Sequence, residues 1–124
     1  MNNQAALTYI GSLVKMVFNL FSHWQLSNAD QAILLGIDPE FQSLQPTELL
    51  TQQIQQSRDQ TDRLIHLLAI HKTLRLLFPK NRELAYHWMT TRNKAFESLT
   101  PFEVVKERGF IGLLEVRTYL DRCK

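Results

Sequence analysis

Apolar residues recur along this chain at three- and four-residue intervals, the spacing of one face of an α-helix; the strict alternation of a half-buried strand is scarce. Ile10, Leu13, Val14, Val17, Phe18, Leu20, Phe21 and Trp24 give a first helix, over about residues 4–24, a wide apolar face. Ser27 is a good N-cap, and Asp30 completes an approximate capping box for a short helix with Ala29, Ala32, Ile33 and Leu35. Gly36 ends it, because glycine accepts the left-handed conformation of a helix C-terminus. Asp38 and Pro39 then open the next turn as N-cap and first helical residue. A short helix, a glycine turn and another helix draw a helix-turn-helix outline.

Pro46 begins a further helix with Leu49, Leu50 and Ile54, whose polar face is Gln52, Gln53, Gln55 and Gln56. The most regular stretch is Asp59 to Phe78, where Leu64, Ile65, Leu67, Leu68, His71, Leu74, Leu77 and Phe78 keep the helical period. Pro79 stops it, since the residue before a proline disfavours helix. Another helix is expected over residues 80–90, then a turn-rich stretch from Thr91 to Thr100. Pro101 starts a short helix, Gly109 breaks it, and Phe110 to Arg122 forms the last. The expected fold is all-α: a helix-turn-helix-type N-terminal bundle (residues 1–57), a long linking helix (58–79) and a small C-terminal helical domain (80–124).

Composition narrows the class. At 124 residues and 44% hydrophobic the chain can bury a working core, so disorder is not expected. Cys123 is the one cysteine, which excludes an intramolecular disulfide framework and a cysteine zinc site and fits a reducing compartment. Ala5 to Trp24 carries Lys15, Asn19 and His23 and lacks a basic start, so it reads as an amphipathic helix and not as a signal or membrane span. The expected location is cytoplasmic, with no membrane partner. Residues 1–57 hold one base, Lys15, against four acids, a net of −3; residues 58–124 hold thirteen bases against eight acids, a net of +5. That asymmetry bears on any nucleic-acid partner.

No constellation points to catalysis. His66 and His71 lie five apart and share no helical face well; HExxH and GxSxG are absent, and the glycines at 11, 36, 109 and 112 are too scattered for a phosphate loop. Glu103 and Glu107 are spaced as an acid pair, but Lys106 and Arg108 beside them make a solvated face the simpler reading. No enzyme activity, cofactor or metal is expected. What remains is recognition. Trp24, Phe18, Phe21, Phe78, Tyr86 and Trp88 each read as mostly core by their spacing; of the aromatics, Trp88 and Phe96, beside Arg92, Asn93 and Lys94, are the better candidates for a part-exposed surface.

The C-terminal segment reads Ala85-Tyr86-His87-Trp88-Met89-Thr90-Thr91-Arg92-Asn93-Lys94-Ala95-Phe96, then Thr100-Pro101-Phe102-Glu103-Val104-Val105. It continues Gly109-Phe110-Ile111-Gly112-Leu113-Leu114-Glu115-Val116-Arg117-Thr118-Tyr119-Leu120. A helix ending in Trp, an Asn soon after, an aromatic, a Thr-Pro turn and a final helix after glycine resemble the toxin-binding C-terminal domain of the MbcA/ParS/Xre antitoxin family. Upstream, Phe21 to Ser27, Ala32 to Ile37, Arg63 to Ile65, Leu67 to Lys72 and Leu74 to Pro79 resemble the Xre-like helix-turn-helix half and linking helix of the same antitoxins. The likeness spans roughly residues 16–122. Each short motif is weak alone; their order and spacing together are fairly specific.

The resemblance implies the antitoxin of a type II toxin–antitoxin pair, a dimer that binds and blocks a RES-domain, NAD-consuming toxin, with operon autorepression through the helix-turn-helix. It makes residues 80–124 the toxin-binding domain. Candidate contacts are Trp88, Arg92, Asn93, Lys94, Phe96, Thr100 and Pro101, with Arg117, Arg122 and Lys124. Asn93 has an equal second reading, capping the turn through its side chain. The family turn often carries a glycine before Thr/Ser-Pro; Ser98 and Leu99 stand there, so the turn is built without a φ > 0 specialist or built differently.

The candidate DNA-reading helix, about residues 39–45, offers Gln42, Ser43 and Gln45, of which the glutamines can read adenine. No Lys or Arg lies between Lys15 and Arg58, and phosphate contacts need cations. Operator binding and a scaffold or dimer surface therefore both stand as readings of this segment. The rival function is a helix-turn-helix DNA-binding transcriptional regulator without a toxin partner.

Overall fold

The computed structural model describes residues 3–38 and 47–124, which fold as helices joined by turns. We number them α1 (Asn3–His23), α2 (Asn28–Leu35), α3 (Thr47–Gln55), α4 (Arg58–Leu77), α5 (Arg82–His87), α6 (Pro101–Arg108) and α7 (Phe110–Cys123). The all-α expectation holds: among the described residues the sole β feature is an isolated bridge between Asn93 and Leu99. No helix among them is long and apolar enough to cross a membrane. The chain forms two compact units, Met1–Ile65 and His66–Lys124, a division that falls inside α4.

In the first unit α1 buries Ile10, Val14, Val17, Leu20 and Phe21, the turn after it buries Trp24, and α3 adds Leu50 and Ile54. α2 begins and ends on the residues the sequence singles out. Ser27 Oγ accepts the Asp30 N–H at 3.1 Å. Gly36 sits at φ 71°, and the Ile37 N–H returns to Ala32 O at 2.9 Å. This C-terminus is closed a second time by Arg63 of α4. Its Nη1 donates to the carbonyls of Ile33 and Leu34, both at 3.3 Å, and its Nε donates to Asp59 at 3.0 Å. The Arg63 side chain is only 9% exposed, so these are charge-assisted bonds in a dry setting; they add a second donor to Ile33 O, which already accepts the Gly36 N–H, and satisfy Leu34 O, which the helix end otherwise leaves orphaned. A Cβ on Gly36 would stand 2.8 Å from Arg63 Nε, so glycine is needed for space as well as for φ.

The second unit buries Leu67, Ile70 and Leu74 of α4, Ala85 of α5, Met89, Phe102, Val104 and Val105 of α6, and Leu113, Val116 and Leu120 of α7. α4 stops ahead of Pro79, and Asn81 caps α5 by accepting the Leu84 N–H at 3.1 Å. The helix expected over residues 80–90 is shorter: α5 ends at His87 and tightens into a 3₁₀ turn over Trp88–Thr90. The Thr90 and Thr91 hydroxyls both donate to His87 O, at 3.3 and 2.7 Å, and so compete with the helical ladder. α7 is tied to α4 by Arg117, whose guanidinium donates to His66 Nδ1 at 2.7 Å, and by Phe110 edge-on to the His66 ring at 5.5 Å. His71, expected on the apolar face of the long helix, stacks on Tyr86 at 5.9 Å.

α6 and α7 approach so closely that a Cβ on Gly112 would overlap the Val104 carbonyl oxygen, a backbone group that cannot step aside. Gly112→Ala is expected to lower stability by about 1–3 kcal/mol through overpacking. The gain of about 1 kcal/mol that alanine normally brings over glycine inside a helix offsets this only in part. Gly11→Ala is the control, since its Cβ would meet only Thr51 at an ordinary 3.8 Å. Thermal unfolding should show a lower Tm for the first and an unchanged or higher Tm for the second; equal shifts would contradict the crossing described.

Candidate functional site

Residues 88–101 of the second unit turn the chain back from α5 to α6 over a knot of backbone hydrogen bonds. Asn93 N–H donates to Leu99 O at 3.0 Å, and the Phe96 and Ser98 N–H groups donate to Asn93 O at 3.0 and 3.1 Å. Asn93 Oδ1 accepts the Ala95 N–H at 2.9 Å. The chain meanwhile makes a 3₁₀ turn over Lys94–Phe96 and then two left-handed residues, Glu97 at φ 56° and Ser98 at φ 69°. The turn thus takes the positive φ that glycine serves, and takes it on non-glycine residues. Arg92 Nη1 donates to Ser98 O at 3.0 Å and closes it from outside.

The exit is a full capping box: Thr100 Oγ1 accepts the Glu103 N–H at 3.0 Å, and Thr100 N–H donates to Glu103 Oε1 at 2.9 Å. The Thr100 backbone bond holds the Glu103 carboxyl below the usual carboxylate range, with the Thr100 hydroxyl, Arg92 and Lys106 acting in the same direction. Glu103 therefore has a structural task beyond a solvated face. The spacing Thr100-Pro101-Phe102-Glu103 is itself the capping-box signature.

Outside the knot lie three half-buried rings. Trp88 stacks on Tyr119 of α7 at 6.2 Å and 14°, and Phe96 meets both edge-on, Trp88 at 6.3 Å and Tyr119 at 5.1 Å. Trp88 and Phe96 were expected on a part-exposed surface; Tyr119 was not among the candidates. Its signal is weak, an aromatic next to the buried Val116 and Leu120 on the flank of an amphipathic helix.

Trp88, Arg92, Asn93, Lys94, Phe96, Thr100 and Pro101 thus share one turn. Arg92 and Lys94 are exposed, Pro101 is buried at the start of α6, and Asn93 and Thr100 spend their side-chain oxygens on backbone N–H groups. On α7, Arg117 bonds His66 and stands 3.8 Å from Asp121, Lys124 pairs with Asp121 at 3.5 Å, and Arg122 is exposed. Gln42, Ser43 and Gln45 lie outside the described residues.

Residues 73–124 match the family of antitoxin Xre/MbcA/ParS C-terminal toxin-binding domains. Residues 73–124 thus belong to the toxin-binding domains of the Xre/MbcA/ParS antitoxin family. The antitoxin is also 30% identical over 107 residues, 84% of its length, to a protein of Sinorhizobium fredii (strain NBRC 101917 / NGR234) named only as uncharacterized protein y4oB, of which it covers 78%. No solved structure matches. Membership gives the antitoxin a role in a toxin–antitoxin pair and a toxin as partner.

Three outcomes test this turn. Thr100→Ala should cost about 0.5–2 kcal/mol, the usual loss of an N-cap. Because the folded Glu103 carboxyl titrates below its unfolded value, its contribution is present in full above the ordinary carboxylate range and is lost as pH falls through the folded value. The Tm difference between the native antitoxin and Glu103→Gln should therefore shrink on acidification; a constant difference would remove the charge from the cap. Separately, Ser98→Gly should be neutral or stabilising by about 1 kcal/mol, the order of the cost of a left-handed L-residue, whereas Gly at the helical Thr118 should destabilise.

Proposed function

We propose that this antitoxin neutralises a RES-domain, NAD-consuming toxin by laying the 88–101 turn and the C-terminal end of α7 against it, as one half of a type II pair. The observation that carries the reading is the ring cluster of Trp88, Phe96 and Tyr119, left half-exposed where a turn pinned by its own hydrogen bonds meets α7. Large aromatic anchors dominate binding energy, and anchors already held in place lose little freedom on binding. The unit His66–Lys124 carries eleven bases against six acids, a net of +5, which suits an acidic cleft and speeds encounter. In this reading Trp88, Phe96, Arg92 and Lys94 touch the toxin, with Arg117, Arg122 and Lys124 on its edge, and Asn93, Thr100 and Pro101 hold the turn. Residues 80–124 form the toxin-binding domain, 58–79 the linking helix and 1–57 a helix-turn-helix region through which a homodimer would repress its operon from the cytoplasm.

The rival, a DNA-binding regulator without a toxin, has less to draw on. The described cations of the first unit are Lys15, Arg58 and Arg63, and Arg63 is committed to closing α2.

The test is co-expression with the RES-domain protein of the neighbouring reading frame. The full chain should restore growth and cellular NAD, and Trp88→Ala should weaken toxin binding by at least about 30-fold, the effect of losing a hot spot of some 2 kcal/mol. Rescue by a chain cut after Pro79 would overturn the assignment.

A further inference from the structure

Beside the turn, between it and the α6–α7 pair, is a cavity of about 100 Å³. Its apolar wall is Phe96, Leu99 and Val104, and its polar rim is Glu97, Arg108 and Glu115. We propose that it receives one cationic side chain, Arg or Lys, from the toxin, an inference that rests on the toxin-contact reading of this turn.

Size decides first. Pockets for small molecules and cofactors start at about 300 Å³, and a water in liquid occupies about 30 Å³. A cavity of about 100 Å³ holds a few waters or one side chain.

Charge decides which side chain. Arg108 Nη1 donates to both Glu115 oxygens, at 2.9 and 2.8 Å, so those two charges cancel. Glu97 has no ion-pair partner among the described residues, which leaves the rim at net −1 on a unit whose net charge is +5. An incoming carboxylate would meet Glu97 and Glu115. A purely apolar side chain would strip water from Glu97 and return nothing. A lysine or arginine satisfies both parts, its methylene stem along Phe96, Leu99 and Val104 and its head at Glu97. Arginine gains more, because its guanidinium can lie on the Phe96 face while pairing with a carboxylate.

The turn also fixes Glu97 in space. Its backbone is held left-handed at φ 56°, with its N–H donating to Lys94 O at 3.2 Å, so the side chain starts from a set backbone position on the cavity rim. Phe96 belongs both to this wall and to the ring cluster, so the acidic niche and the aromatic anchors form one continuous surface. A lone acid within a basic field supplies register: general attraction brings an acidic face close, and one cation on that face has one place to go.

Two measurements test the proposal on the full chain. In the first, ethylguanidinium chloride is titrated into the antitoxin and followed by amide chemical shifts, with n-butanol and sodium acetate as controls. Ethylguanidinium should move the Phe96, Glu97 and Leu99 amides saturably, and Glu97→Gln should abolish the response. No response, or an equal one to n-butanol or acetate, overturns the cation site. In the second, binding to the RES-domain toxin is measured for Glu97→Gln, Glu97→Arg and Trp88→Ala. Glu97→Gln should weaken binding several-fold and Glu97→Arg at least thirty-fold, with one toxin Arg or Lys changed to Glu restoring the latter. If Trp88→Ala weakens binding and the Glu97 variants do not, the niche is overturned and the toxin-contact reading stands. If none of the three weakens binding, both fall.

Discussion

Asn93 makes the surface of the second unit possible. Its N–H, its carbonyl and its side-chain oxygen together serve Leu99, Phe96, Ser98 and Ala95, four hydrogen bonds around a turn with no glycine in it. At about 1 kcal/mol net each, they offset two left-handed L-residues at about 1–2 kcal/mol each. The turn is therefore near balance by itself, and its neighbours decide it: Arg92 on Ser98 O, the capping box that starts α6, and Tyr119 closing over Phe96. The shape of the loop is thus settled within the free antitoxin, and the rings it carries are aimed before any partner arrives.

Punctuation was the legible part of this fold. Ser27 and Gly36 bound α2, Pro79 follows α4, and Thr100, Pro101 and Gly109 bound α6, because each acts through chemistry within a few residues of itself. The shortened α5 depends on two threonine hydroxyls competing for the His87 carbonyl, a choice that periodicity does not register. Tyr119 was missed because its partner Trp88 is far away in the chain and the stack exists only once α7 has folded back. The positive φ of Glu97 and Ser98 was missed for the opposite reason: residue identity argues against it, and only the surrounding bonds impose it. Glu103 shows a third kind of error, a local signature read for charge when its geometry mattered more.

Counting cations overstates what this chain can offer a partner, because several are already engaged. Arg63 is spent on the α2 carbonyls, Arg108 on Glu115, and Arg117 on His66 and Asp121. These ties differ in worth. Arg63 is nearly dry, so its bonds are strong and its removal would leave the buried Leu34 carbonyl unpaired. The Lys124 pair is wet and contributes little stability, so it can exchange partners cheaply. Arg92 sits between, exposed yet bonded to the turn it would present to a partner.

That gradation separates how a partner is attracted from how it is held. A net +5 acts over about a Debye length, roughly 8–10 Å at ordinary ionic strength, and so governs encounter more than residence. Residence depends on groups that lose water on contact, and in the proposed toxin contact those would be the Trp88, Phe96 and Tyr119 rings and the small cavity that shares Phe96. A basic field alone would accept many acidic proteins. On the proposed contact, rigid rings beside a single acidic niche would accept only a surface that brings apolar area and one cation at matching positions, which would put specificity in the turn and not in the charge around it.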